Sequence, residues 1–297
     1  MRPAPLVVKL GGALLDDAAQ FPQVFGALAR MHQLHAGGLV IVHGGGKAVD
    51  RQLERVGLHT ERREGIRITP PEAVEQGTAV LAGAMNTQLL GLLLSRGVSA
   101  VGLTLSDGHL SRAVKTQRFA FDPGRVGELV GGDGALVHHL LSGGFLPVLS
   151  SIAVCEAGGF LNVNADDAAA QLAGILRAQG LLLLTDVPGV KDANGQVIAE
   201  LTASAAETLI ADGTVTGGMI AKVRGALDAA QRADVPVVIA SWGDPAALEA
   251  LATGAAIGTR VLPSASVTSA TSATFATRNN SSTTPATLTA LTGATHS

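Results

Sequence analysis

Short runs of consecutive apolar residues alternate along the chain with segments whose apolar residues recur every three or four positions. Leu6-Val7-Val8 leads through Lys9-Leu10 to Gly11-Gly12, and Leu39-Val40-Ile41-Val42 leads to His43-Gly44-Gly45-Gly46. Further runs cover 100–105, 146–150, 181–185 and 235–240. Between them Val49, Leu53 and Val56 fall at i, i+4 and i+7, and Leu172, Ile175 and Leu176 at i, i+3 and i+4. Ile220, Val223 and Leu227 fall at i, i+3 and i+7. Near-continuous apolar strands alternating with amphipathic helices predict a parallel sheet covered on both faces, in the α/β class. Ligands on such sheets bind beyond the carboxyl ends of the strands. The two strand ends that carry glycines are therefore the first places to look. Stretches at about 60–67 and 109–129 are richer in charge and turn formers and break the rhythm. They predict hairpins or lids.

The pattern stops near residue 262. Of the 35 residues at 263–297, 24 are Ser, Thr or Ala, and no period buries an apolar face. This tail is expected to be disordered, leaving a folded unit of about 1–262.

Composition narrows the class. An apolar fraction of 47% in 297 residues supports a large core. A single cysteine excludes a disulfide framework and fits a reducing compartment, so a cytoplasmic location is expected. Net charge is 21 − 24 = −3 and aromatics make up 3%, which argues against nucleic acid as a partner. No apolar stretch reaches the roughly 20 residues of a membrane helix, and Lys9 interrupts the first one, so neither a membrane span nor a signal peptide is expected.

Glycines after a strand and before a helix let backbone N–H groups approach an anion closely. Gly11-Gly12 and Gly44-Gly45-Gly46 both stand there. Neither is a common nucleotide motif. A P-loop would need Gly at Ile41 and Ser or Thr at Ala48, and the dinucleotide pattern would need Gly at Val49. Lys9 is the only charge in its strand, one residue before the exit. Lys222 lies in the first turn or so of a helix beginning near Met219, where a cation opposes the helix dipole by roughly 0.3–1 kcal/mol. Asn162-Val163-Asn164-Ala165-Asp166 puts its polar side chains on one side if extended. Equally, Asn164 fits an N-cap with Asp166 and Asp167 in the first turn, a reading that leaves Asn162 unexplained. Arg67 sits just before Pro70-Pro71 and is suited to grip a carboxylate. Two lysines plus backbone N–H groups suit phosphoryl transfer onto an acidic small molecule, chemistry that needs positioning and positive charge.

Six segments in order make the chain resemble the N-acetylglutamate kinase family of the amino-acid-kinase superfamily. They are Lys9-Leu10-Gly11-Gly12, Val42-His43-Gly44-Gly45-Gly46, Gly65-Ile66-Arg67-Ile68-Thr69, Asn162-Val163-Asn164-Ala165-Asp166, Thr185-Asp186-Val187-Pro188-Gly189-Val190 and Thr216-Gly217-Gly218-Met219-Ile220-Ala221-Lys222. The likeness runs from about residue 7 to residue 259. It implies a three-layer αβα sandwich with a central, mostly parallel sheet. Residues 1–178 would form an N-terminal lobe for acyl-substrate binding and dimerisation, and residues 179–262 a C-terminal ATP lobe.

The resemblance also implies roles. Lys9 would stabilise the transferring phosphoryl group, Lys222 would neutralise the leaving phosphate, and Asp166 would orient both lysines. Gly11, Gly12, Gly44 and Gly45 would donate backbone N–H groups. Arg67 and Asn162 would hold the two ends of N-acetyl-L-glutamate. ATP would lie near Asp186, Val187, Pro188, Gly189, Val190 and Lys191, and near Thr214, Val215 and Thr216. Mg²⁺ would arrive with the nucleotide, with no protein metal site. The implied reaction is ATP-dependent phosphorylation of the side-chain carboxylate in arginine biosynthesis. Alternatives are another acceptor in the same superfamily, such as carbamate, a nucleoside monophosphate, or free or carrier-bound N-acetylaminoadipate, and a non-catalytic ligand-binding module. Arginine-inhibited hexameric members carry a helix before the first strand. Only five residues precede Leu6 here, so an arginine-insensitive homodimer is expected, with the helix at about 72–95 as its contact through Val80, Leu81, Ala84, Met85 and Leu89.

Overall fold

The strands of the computed structural model, which describes residues 3–263, are β1 (Leu6–Leu10), β2 (Leu39–His43), β3 (Arg62–Arg63), β4 (Ile66–Arg67), β5 (Ala100–Leu103), β6 (Ala113–Lys115), β7 (Val126–Leu129), β8 (Leu146–Ser150), β9 (Ile152–Val154), β10 (Phe160–Val163), β11 (Gly180–Thr185), β12 (Glu200–Leu201), β13 (Val237–Ser241) and β14 (Thr259–Val261). The helices are α1 (Ala13–Asp16), α2 (Pro22–Leu34), α3 (Gly46–Arg55), α4 (Pro71–Thr78), α5 (Asn86–Leu94), α6 (Ala135–Ser142), α7 (Ala165–Ile175), α8 (Ala203–Ala211), α9 (Gly218–Ala233) and α10 (Pro245–Ala252). The expected disordered tail falls, from residue 264 onward, outside the described residues.

Eight strands form the central sheet in the order β12-β14-β13-β11-β1-β2-β8-β5. Its neighbours run parallel except at β13–β14. Alternation along each strand separates the core into two layers. Val7, Val40, Val42, Leu181 and Ile239 join Leu172 of α7 and Val223 of α9 on one face. Leu6, Val8, Ile41, Val148 and Leu182 join Phe25 of α2, Leu89 of α5 and Leu248 of α10 on the other. The result is the expected three-layer α/β sandwich. The core divides by sheet face, and the sheet is continuous across residues 178 and 179, since β1 pairs with β11.

Both predicted interruptions are hairpins. β3 and β4 pair antiparallel around Glu64-Gly65, whose φ values of 52° and 79° make the tight positive-φ turn that suits twisted strands. β6 and β7 also pair antiparallel, within a four-stranded sheet ordered β6-β7-β10-β9.

α4 and α5 join through a π-helical segment, Ala79–Met85, into one 24-residue helix, Pro71–Leu94. Its length, and a mean hydropathy of 1.4 over an 18-residue window, would allow a membrane span, longer than the broken apolar stretches suggested, yet Ala73, Val74, Leu81, Met85, Leu89 and Leu93 pack into the core. The apolar face expected for dimerisation therefore splits. Leu81, Met85 and Leu89 cover the sheet, Val80 is half-buried and Ala84 is exposed.

Candidate active site

β1 has β2 on one side and β11 on the other. The chain leaves β1 toward β2 and returns much later, through α7, to β11. From β11 it goes the other way, toward β13, and connections that depart to opposite sides open a crevice at the carboxyl ends of the two adjacent strands they leave. Lys9-Leu10-Gly11-Gly12 occupies the β1 end.

Lys9 is the one half-buried residue of β1 among buried apolar neighbours. Its Nζ lies 2.9 Å from Asp166 Oδ1. Gly11 makes this possible: a Cβ there would stand 2.4 Å from Lys9 Nζ and 3.0 Å from Cε. The lysine crosses directly over the glycine. Asp166 sits in the first turn of α7, where the amide dipoles favour a carboxylate. Asn164 caps that helix, its Oδ1 accepting from the amides of Asp166 at 2.8 Å and Asp167 at 3.1 Å.

Two cavities meet here. The first, about 260 Å³, is lined by the glycines at 11, 12, 44, 45 and 46, by Arg67 and Asn162, and by Lys9 and Asp166. Arg67 is 7% exposed and held by three of its five N–H groups: Nη1 donates to Asp50 and to Thr60 Oγ1 at 3.3 Å, and Nη2 donates to the Gly46 carbonyl at 3.0 Å. Burial raises the Asp50 carboxyl, but hydrogen bonds and charge from Arg67 and Arg62 outweigh it and hold the group below the usual carboxylate range. Gly45 has φ 155°, and a Cβ on it would meet Met85 Sδ at 2.4 Å, so the loop is pressed against the long helix. Asn162 comes from β10, with its backbone N–H donating to the Arg125 carbonyl at 2.9 Å.

The second cavity, about 380 Å³, is lined by Thr185, Asp186, Lys222, Gly225, Leu183, Ile239 and Trp242, and shares Lys9, Gly11, Gly12 and Asp166 with the first. Lys222, from α9, donates to Asp186 Oδ1 at 2.6 Å. That bond holds the Asp186 carboxyl below its usual range. The two lysines thus have separate carboxylates. Asp166 touches Lys9, and it is Asp186, not Asp166, that holds Lys222.

The junction brings together Lys9, Lys222, Asp166, Gly11, Gly12, Gly44, Gly45, Arg67, Asn162 and Asp186. It does not bring in the rest of the expected nucleotide segment. Val187, Pro188, Gly189, Val190 and Lys191 stand apart from the cavity lining, as do Thr214, Val215 and Thr216. Val190 is fully buried and its amide donates to Thr259 Oγ1 at 2.8 Å, so this turn seats β14. Val215 is also buried, its amide donating to the Leu209 carbonyl. Sequence reasoning missed Ser151, Arg62 and Trp242, which line the cavities. Ser151 and Trp242 stand just past β8 and β13, so the strand-end rule applied to every run could have found both.

Residues 4–241 match the Amino acid kinase family. The chain belongs to that family. A curated acetylglutamate kinase of Pectobacterium atrosepticum is 46% identical over 258 residues, covering 87% of this chain and 99% of the relative. One from Yersinia pestis is 44% identical, covering 86% and 98%. Among solved structures, a Streptococcus mutans protein aligns over 88% of this chain and 99% of its own, with a TM-score of 0.64 at 24% identity. N-acetylglutamate synthase from Neisseria gonorrhoeae, complexed with coenzyme A and N-acetyl-glutamate, has a TM-score of 0.72 at 23% identity over 89% of this chain and 61% of that one. These two structures share the amino acid kinase fold with this chain.

Proposed function

We propose that this chain transfers the γ-phosphoryl group of ATP to the side-chain carboxylate of N-acetyl-L-glutamate, giving N-acetyl-L-glutamyl 5-phosphate, the second step of arginine biosynthesis. The observation that carries the reading is the pair of cavities joined at Lys9, Gly11, Gly12 and Asp166, in a chain 44–46% identical to acetylglutamate kinases. The acid occupies the cleft with Arg67 and Asn162. The nucleotide occupies the cavity with Lys222, and its γ-phosphate sits over the shared glycines.

A carboxylate oxygen forms the new bond to γ-phosphorus as the bond to the β–γ bridging oxygen breaks, and ADP leaves. The carboxylate is already ionised near neutral pH, so no base is required. Neither cavity lining contains a histidine. The barrier is the approach of two anions. Lys9 meets charge on the transferring group from the shared junction, and Lys222 meets charge on the leaving ADP. Asp166 fixes Lys9, while the glycine amides donate to phosphoryl and acyl oxygens. Both carboxylates at the nucleotide cavity, Asp166 and Asp186, are paired with lysines. That set suits Mg²⁺ carried on the nucleotide.

We further assign acyl binding to residues 1–178 and nucleotide binding to 179–262. A cytoplasmic homodimer through the exposed side of Pro71–Leu94 is consistent with its small residues Gly83, Ala84 and Gly91. Equilibrium sedimentation tests the dimer, since a monomer at micromolar concentration would exclude it.

The deciding experiment compares ATP consumption with N-acetylglutamate, glutamate, aspartate, N-acetylaminoadipate, carbamate and UMP, trapping the acyl phosphate with hydroxylamine. N-acetylglutamate is expected to give the highest kcat/KM. A higher value for another acceptor would overturn the assignment.

A further inference from the structure

Behind the Gly44-Gly45 loop lies a polar pair that the proposed chemistry leaves unused. His43 ends β2 at 0% exposure, and Asn86 opens α5 at 3%. Asn86 follows the π-helical segment, a distortion often found beside functional sites. Asn86 Nδ2 lies 3.0 Å from the Val148 carbonyl and 3.1 Å from His43 Nε2. A carbonyl can only accept, so the Val148 contact fixes which end of the amide is nitrogen. Its Oδ1 faces Gly102, where a Cβ would stand 2.1 Å away. Nε2 must then accept a hydrogen bond. The ring is neutral at pH 7, because burial pushes its pKa down to about 4. The proton therefore sits on Nδ1, which lies 3.0 Å from the Gly44 carbonyl and donates to it.

That carbonyl belongs to the peptide linking Gly44 to Gly45. In a trans peptide the N–H points opposite to the C=O. Tying the carbonyl to the buried ring turns the Gly45 N–H away from the core and toward the cleft that both glycines line. Accepting a bond at the carbonyl also strengthens the amide as a donor.

We propose that Asn86 and His43 are positioning residues: Asn86 reinforces the Nδ1–H tautomer that the Gly44 carbonyl requires, and His43 fixes the Gly44–Gly45 peptide so that its N–H addresses the acceptor. The proposal rests on the acyl reading of that cleft.

Two measurements test it. Histidine-labelled ¹⁵N NMR at pH 7 should show His43 protonated at Nδ1 and bare at Nε2, with the preference weakened in Asn86→Leu, where the Gly44 carbonyl alone still selects it. Kinetically, His43→Gln places its amide where Nε2 stood and should lower kcat by roughly 10–100-fold, the scale of a misaimed donor, while KM for ATP stays the same. His43→Asn places its nitrogen where Nδ1 stood and should recover kcat to within about fivefold of the parent. A proton on Nε2, parental kcat in His43→Gln, or His43→Asn no better than His43→Gln would overturn the proposal. If the parent protein phosphorylates none of the acids, the acyl reading fails, and the tautomer measurement still decides the couple.

Discussion

The acyl cleft and the nucleotide cavity hold their cations in opposite ways. Arg67, in the cleft, is 7% exposed and its guanidinium is bound by Asp50, Thr60 and the Gly46 carbonyl. Lys222, in the cavity, is 36% exposed at its side chain and, among the described residues, held by Asp186 alone, itself 65% exposed. A buried guanidinium with a fixed fork reads one shape at one place. A half-exposed ammonium on a flexible stem can leave a solvated carboxylate for a phosphate at little cost, since exposed ion pairs contribute only about 0–1 kcal/mol. The cleft is built to select and the cavity to follow charge. Lys9, 17% exposed and lining both, stands between the two regimes.

The sharpest way to break this comparison is to remove the lysines separately. Lys9→Ala takes charge from the shared junction and should lower kcat by about 10³ or more. Lys222→Ala takes it from the nucleotide side only and should lower kcat by roughly 10²–10³, with N-acetylglutamate binding little changed. Steady-state kinetics with both substrates varied measures this. Parental turnover in Lys222→Ala would remove that lysine from the mechanism.

Arg67→Ala comes next. Losing a charge-assisted bond worth about 1.5–3 kcal/mol should raise KM for the acid by roughly 10–100-fold with a smaller change in kcat. If only the KM for ATP responds, the two cavities are assigned the wrong way round. Part of any effect will be structural, because Asp50 loses its closest partner.

How much of this was legible beforehand depended on how each feature is encoded. β1, β2, β8, β11 and β13 are buried on both faces, so their near-continuous apolar runs announce them. β12 and β14 have two and three residues, and the four-stranded sheet uses strands of three or four with mixed polarity. Their identity comes from pairing partners far along the chain, which no local pattern records. In the site, Lys9 was visible as a charge inside an apolar strand, and Asn164 as a cap. The stretch from Val187 to Lys191 was placed at the nucleotide by resemblance. A motif's residue types do not reveal which way its turn faces, and here the Val190 amide is turned to Thr259 of β14. Asp186 as the partner of Lys222 was hidden because the two are 36 positions apart.

The two regions should also differ in their response to acid. His43, behind the acyl loop, protonates near 6.5 when unfolded and near 4 when folded. The stability tied to its neutral form is complete above about pH 6.5, is lost as pH falls from 6.5 to 4, and changes no further below. The full span is about 3 kcal/mol. Urea unfolding of parent and His43→Asn across that range isolates it, because the remaining groups titrate in both. Equal slopes would mean the ring is not buried neutral.

The smallest expected effect follows from Trp242, the only tryptophan in the chain, which lines the nucleotide cavity and packs edge-on against Phe21 at 4.7 Å between centroids. Indole emission responds to local polarity and to stacking, and Trp242 is absent from the lining of the acyl cleft. A non-hydrolysable ATP analogue should therefore change the emission in a saturable way, and N-acetylglutamate alone should leave it nearly unchanged. Because one residue supplies the whole signal, Trp242→Phe gives the blank. A response to the acid alone would mean that filling the cleft moves the nucleotide cavity through the shared Lys9–Asp166 pair, and the division into a selecting cleft and a following cavity would give way to a single coupled site.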